Sequence, residues 1–170
     1  MHSSHIQQDF KSSQTLQKAP IAEAGMLIRR PVEKVFEAFI NPAITSKFWF
    51  TKGSERVEKG QEIQWDWEMY GRSVHVRVLD VDPNKRILME WRAYVAPTQI
   101  ELLFTSPAPG ETFVNVVNSG FQGTGDEVVK QVLDSTGGFV LVLAGAKAFL
   151  EHNIGLNLIA DRFPDKVIKK

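Results

Sequence analysis

Apolar and polar residues alternate strictly over Ile63, Trp65, Trp67 and Met69 against Gln64, Asp66, Glu68 and Tyr70. A period of two marks a strand with one buried face. The pattern returns at Val74, Val76 and Val78, at Ile87, Met89 and Trp91, at Ile100, Leu102 and Phe104, and from Thr112 to Phe121. Turn chemistry separates these runs: Tyr70-Gly71, Asp82-Pro83-Asn84-Lys85, and the loop from Pro107 to Gly110. Ahead of them, Ile21 to Arg30 reads as a first strand. Pro31 then suits the first turn of a helix faced by Val32, Val35, Phe36, Phe39 and Ile40. Asn41-Pro42 ends that helix, and a second short one is expected over Ile44 to Trp49.

After Thr124 the period lengthens. Thr124 with Glu127 forms a capping-box pair. Val129, Val132, Leu133, Thr136, Phe139, Val140, Leu143, Lys147, Leu150 and Ile154 follow at three- and four-residue steps. They predict a mostly apolar helix stripe from Thr124 to Ile154, roughly 45 Å long if unbroken. Gly137-Gly138 inside it predicts a kink, a close backbone approach, or room left above the sheet.

Register follows from turn length. A two-residue turn at Tyr70-Gly71 sets Met69 opposite Arg72, Trp67 opposite Val74 and Trp65 opposite Val76. Around Pro83-Asn84 the same counting sets Val76 opposite Trp91 and Val78 opposite Met89. Trp65, Trp67, Val74, Val76, Val78, Met89 and Trp91 then share one inner wall. A three-residue loop at either turn would flip a strand. Asp66 is expected opposite His75 on the outer face, and Asn118 is expected to point inward with Val114 and Val116.

Composition narrows the class. The chain has 170 residues, long enough for one domain with a core that needs no disulfide or metal. Residues 1–18, polar and without period, read as a flexible N-terminal tail, and residues 19–170 as the single domain. Twenty basic and twenty acidic residues cancel, which argues against nucleic-acid binding through a positive field. The absence of cysteine excludes a disulfide framework, a thiolate metal site and a cysteine nucleophile. His2 and His5 in the tail lack a third ligand, and no metal or cofactor is expected. No apolar run is read as a membrane span, no secretory leader is visible, and a cytoplasmic protein is expected.

The order of elements resembles the helix-grip architecture: an α+β fold whose curved antiparallel sheet wraps a long C-terminal helix, with two short helices after strand one. Pro31 to Phe39 after a strand, the Asp82-Pro83 turn leading to Trp91, Ser119-Gly120-Phe121, and Gly138 to His152 narrow this further. They resemble the activator of heat-shock protein 90 ATPase homologue family, within the START-like polyketide cyclase and lipid-transport superfamily. The resemblance covers about residues 20 to 165 and implies a cavity between sheet and helix.

Trp65, Trp67, Val76, Trp91, Phe104, Phe139 and Leu143 are the candidate lining of that cavity. The expected function is non-catalytic binding of a small hydrophobic molecule, as carrier or sensor. A cyclase or dehydratase would need an inward His, Asp, Glu or Arg, and the register supplies none. His75 falls on the outer face, and Asp66 with Glu68 reads as an outward charged row. A third reading is an interaction protein of the stress response with a chaperone as partner.

Overall fold

A computed structural model describes residues 15–164. Of the tail expected over residues 1–18, residues 1–14, with His2 and His5, lie outside the described residues. Residues 15–18 carry no helix or strand and are exposed.

Among the described residues, seven antiparallel strands form one sheet: β1 (Ala22–Ile28), β2 (Lys52–Gly53), β3 (Glu62–Trp67), β4 (Arg72–Asp82), β5 (Arg86–Trp91), β6 (Thr98–Thr105) and β7 (Thr112–Ser119). Their order is β1-β7-β6-β5-β4-β3-β2, so β3 to β7 is a plain meander and β1 closes onto its last strand. Between β1 and β2 stand α1 (Val32–Ile40) and α2 (Pro42–Thr45). The long helix α3 (Gly125–His152) crosses the sheet, and a short α4 (Leu158–Arg162) follows. This is the helix-grip arrangement, with its core between the inner sheet face, α1 and α3.

Local chemistry explains the boundaries. Asn41 ends α1 in an extended conformation, and its side chain accepts from the Ala43 N–H at 3.1 Å to start α2. The second helix therefore begins at Pro42 rather than at Ile44, and residues 46–48 are turns. At the start of α3 the capping box is complete: the Glu127 N–H donates to Thr124 Oγ1 at 3.4 Å and the Thr124 N–H to Glu127 Oε2 at 2.7 Å. Asn153, in the left-handed region at φ 54°, stops the helix and redirects the chain.

Two register findings differ from expectation. The β3–β4 connection spans Glu68 to Gly71, a 3-10 turn closed by left-handed Gly71. Trp67 thus pairs with Arg72, Trp65 with Val74 and Ile63 with Val76. The slip is two residues, so every inner side chain stays inside. Asp66 stands opposite Ser73, not His75, and its carboxylate accepts from Ser73 Oγ at 2.6 Å and Gln64 Nε2 at 2.8 Å. At the second turn, Asp82 pairs with Arg86 across three loop residues, with Asn84 at φ 61°. A bulge between Val78 and Asp80 absorbs the extra residue, so Val76 meets Trp91 and Val78 meets Met89 as expected.

The face of α3 also differs. Val128, Ser135, Phe139, Val142, Leu143 and Ala146 are buried, whereas Val129, Leu133 and Val140 face solvent. Valines and leucines occupy nearly every side of this helix, so periodicity alone could not choose the inner one. By length and composition α3 is apolar enough to cross a bilayer, contrary to the sequence reading. It is a core helix of this fold: its inner residues pack on the sheet, and its C-terminal end is tied to the first strand. Lys147 Nζ donates to the Leu27 carbonyl at 2.7 Å, and Arg30 Nη2 to the Glu151 carbonyl at 2.6 Å.

Candidate functional site

The inner wall of β3, β4 and β5 does not pack flush against the middle of α3. Two glycines border the gap. A methyl group built at Gly137 or Gly138 would meet nothing within 4 Å. The pair leaves space rather than permitting a close approach. Gly145, two turns on, is the close approach: a methyl there would sit 3.2 Å from Phe48 Cβ.

The space is a cavity of about 390 Å³, a size that suits a small molecule. Its walls are aromatic: Trp67 from β3, Trp91 from β5, Phe139 from α3, and Trp49 from the segment after α2. These rings brace one another. Trp91 and Phe139 lie 5.8 Å apart between centroids, Trp49 and Phe139 5.7 Å, and Trp67 and Trp91 6.4 Å. Val74, Leu133, Leu141 and Val142 add to the apolar surface.

Of the seven residues expected to line a cavity, Trp67, Trp91 and Phe139 border this one. Trp65, Val76, Phe104 and Leu143 do not; they are buried core. Trp65 is covered by Phe50, stacked at 4.7 Å, and by Trp49 at 4.8 Å. Phe104 is covered by Phe36 and Phe39 at 5.2 and 5.8 Å. The sequence reading missed Trp49 because Phe48-Trp49-Phe50 has no period to assign it a face.

One corner of the wall is polar and fully wired. Trp91 Nε1 donates to Thr98 Oγ1 at 3.0 Å, Asn118 Nδ2 donates to the same oxygen at 2.9 Å and to the Gln99 carbonyl at 2.7 Å, and Ser135 Oγ donates to Asn118 Oδ1 at 2.8 Å. Asn118 does point inward, and its partners are protein groups. The network fastens the Trp91 ring to α3 through three buried side chains.

The mouth carries the charged groups that the register did not supply. Arg72 shares the inward parity of Val74 and Val76, at the open end of β4, and borders the cavity. Its guanidinium donates to the Ala93 carbonyl. Tyr94 Oη donates to Asp134 Oδ2 at 2.8 Å. Burial raises the Tyr94 phenol well above the ordinary tyrosine range, and the Asp134 hydrogen bond and charge add to the rise. Helix α4 lies over this end with Ile159 and Arg162, followed by Phe163. Tyr70 Oη holds it by donating to the Ile159 carbonyl, with the Ala160 carbonyl at 3.3 Å. Nothing in the periodicity announced α4; Asn153 and Asn157, both left-handed, are the residues that turn the chain back.

Comparisons with known proteins agree with this fold. The family model described as Activator of Hsp90 ATPase homolog 1-like protein matches residues 29–137. A search of curated proteins finds no significant match. Among solved structures, protein SSP2350 from Staphylococcus saprophyticus is 30% identical, with a TM-score of 0.69 over 81% of this chain and 96% of that one. The Aha1 dimer of Colwellia psychrerythraea is 19% identical, with a TM-score of 0.68 over 80% of this chain and 99% of that one. DynU16, a protein of the dynemicin biosynthetic locus, is 20% identical, with a TM-score of 0.69 over 79% of this chain and 48% of that one. These likenesses show a shared helix-grip fold. The chain belongs to the Activator of Hsp90 ATPase homolog 1-like protein family.

Proposed function

We propose that the protein binds a small hydrophobic molecule between the sheet and α3, as a non-catalytic carrier or sensor. The observation that carries this reading is the aromatic-walled cavity of about 390 Å³ beside Gly138. Burying a ring or acyl chain against Trp67, Trp91 and Phe139 removes apolar surface from water. The test is a titration of purified protein with an apolar fluorophore, repeated on Trp91→Ala. Weaker binding by a variant with native circular dichroism supports the reading. Unchanged affinity in that folded variant defeats it.

A cyclase- or dehydratase-type activity is the second reading, favoured by the Tyr94–Asp134 pair at the mouth. The raised phenol stays protonated and is a weaker acid than an ordinary tyrosine, so the Tyr94–Asp134 pair would orient a bound hydroxyl at the mouth by hydrogen bonding rather than protonate it. Loss of turnover in Tyr94→Phe with ligand affinity retained would support it. A chaperone partner is a third reading, supported by the family's description and by exposed Val129, Leu133 and Val140 along α3. The proposed compartment is the cytoplasm; a cysteine-free chain and the packing of α3 onto its own sheet support it.

A further inference from the structure

The ligand-binding reading leaves the chemical class of the ligand open, and the charges at the mouth narrow it. Three charged side chains border the cavity: Arg72, Asp134 and Arg162. Asp134 accepts the Tyr94 phenol at 2.8 Å. Among the described residues, the partners of the two arginines are neutral. Arg72 donates to the Ala93 carbonyl, and the Arg162 guanidinium lies 4.4 Å from the Phe163 ring centre. Neither takes part in any of the salt bridges among the described residues.

We infer that the ligand is an anionic amphiphile: an apolar ring or chain lying against Trp67, Trp91 and Phe139, with one acidic head at Arg72 and Arg162. This inference rests on the cavity reading above. The guanidinium fork matches the planar oxygens of a carboxylate or the oxygens of a sulfonate; both arginines are exposed, so the pairing is screened by salt. A cationic head would meet two positive groups against one carboxylate already engaged. A neutral ligand would leave both arginines without an ionic partner. The two come from different elements, Arg72 from β4 and Arg162 from α4. An anion between them therefore also holds α4 over the bound body, reinforcing the Tyr70 latch.

The test uses two dyes with one ring system, neutral N-phenyl-1-naphthylamine and its 8-sulfonate, titrated at low salt. The sulfonate is expected to bind about tenfold tighter or more. In the Arg72→Met/Arg162→Met double variant that preference, read as the ratio of the two dyes' affinities, is lost. Equal affinity of the two dyes in the unaltered protein, with the neutral dye bound, overturns the anionic head and leaves the cavity reading standing. A sulfonate preference that survives the double variant also overturns it. Failure of both dyes to bind overturns the cavity reading and this inference together.

Discussion

Trp91 and Thr98 stand opposite each other across β5 and β6, and the Trp91 indole N–H donates to the Thr98 hydroxyl at 3.0 Å. The same hydroxyl accepts from Asn118, whose own oxygen accepts from Ser135. One oxygen thus fixes the cavity's central ring relative to the helix above it. Thr98→Val keeps the shape and removes that oxygen. It leaves the indole N–H buried without a partner and takes one acceptor from Asn118, a destabilisation of about 2–3 kcal/mol. Urea unfolding measures it; a change under about 0.5 kcal/mol would show that the network is not what holds Trp91.

Gly138 predicts opposite effects on stability and binding. It is a helical glycine with open space around it, so Gly138→Ala stabilises the fold by about 0.5–1 kcal/mol through helix propensity. The same methyl group narrows the cavity, and affinity for an apolar dye falls. A variant that loses stability would show that the glycine is needed for packing instead.

Much of this architecture was legible because errors of two residues are invisible to a pattern of period two. The β3–β4 turn is longer than a tight hairpin, yet Trp65 and Trp67 remain inside. The three-residue turn at Pro83 would have inverted β4, but the bulge before Asp80 restores the pairing of Val76 with Trp91. A bulge has no apolar signature, so alternation alone could not reveal it. The candidate site was less legible. Trp65 and Trp67 are equivalent in the sequence pattern; only the position of Phe50 and Trp49 buries the first and leaves the second at a cavity. Ser135 reads as a surface residue until Asn118 is placed beneath it. Arg72 has the right parity but sits at a strand end, where parity says little about depth.

The Tyr94 phenol holds its proton beyond the ordinary tyrosine range. Burial, then the Asp134 hydrogen bond and charge, hold the Tyr94 proton in the folded state. Absorbance titration of the folded protein therefore leaves the Tyr94 phenol protonated beyond the ordinary value of about 10, and Asp134→Asn lowers the step. The folded chain binds this proton more tightly than the unfolded chain does. Its contribution to stability is full below the ordinary value and is lost as pH rises towards the folded one. A Tyr94 that titrates normally would contradict the hydrogen-bonded pair.

At the far end of α3, Lys147 Nζ lies 2.6 Å from Glu151 Oε2. Burial alone would raise the Glu151 carboxyl, but the Lys147 hydrogen bond and charge, joined by the Arg29 backbone N–H and charge, outweigh it and hold the group below its usual range. Lys147→Met is expected to destabilise by about 1–2 kcal/mol at neutral pH. The contribution is present above the ordinary glutamate value and is lost as pH falls through the lowered one, so the gap between native and variant closes in acid. A gap that stays constant from about pH 7 to about pH 3 would refute the ion pair as its source.

The cavity beside Gly138 is tested most directly by filling it. N-phenyl-1-naphthylamine, titrated into native protein and into Gly138→Leu, reads occupancy by fluorescence. The native chain is predicted to bind at one saturable site, and the leucine variant, with native circular dichroism, at least about tenfold more weakly. Absence of saturable binding, or equal affinity in the filled variant, would contradict a ligand between sheet and helix.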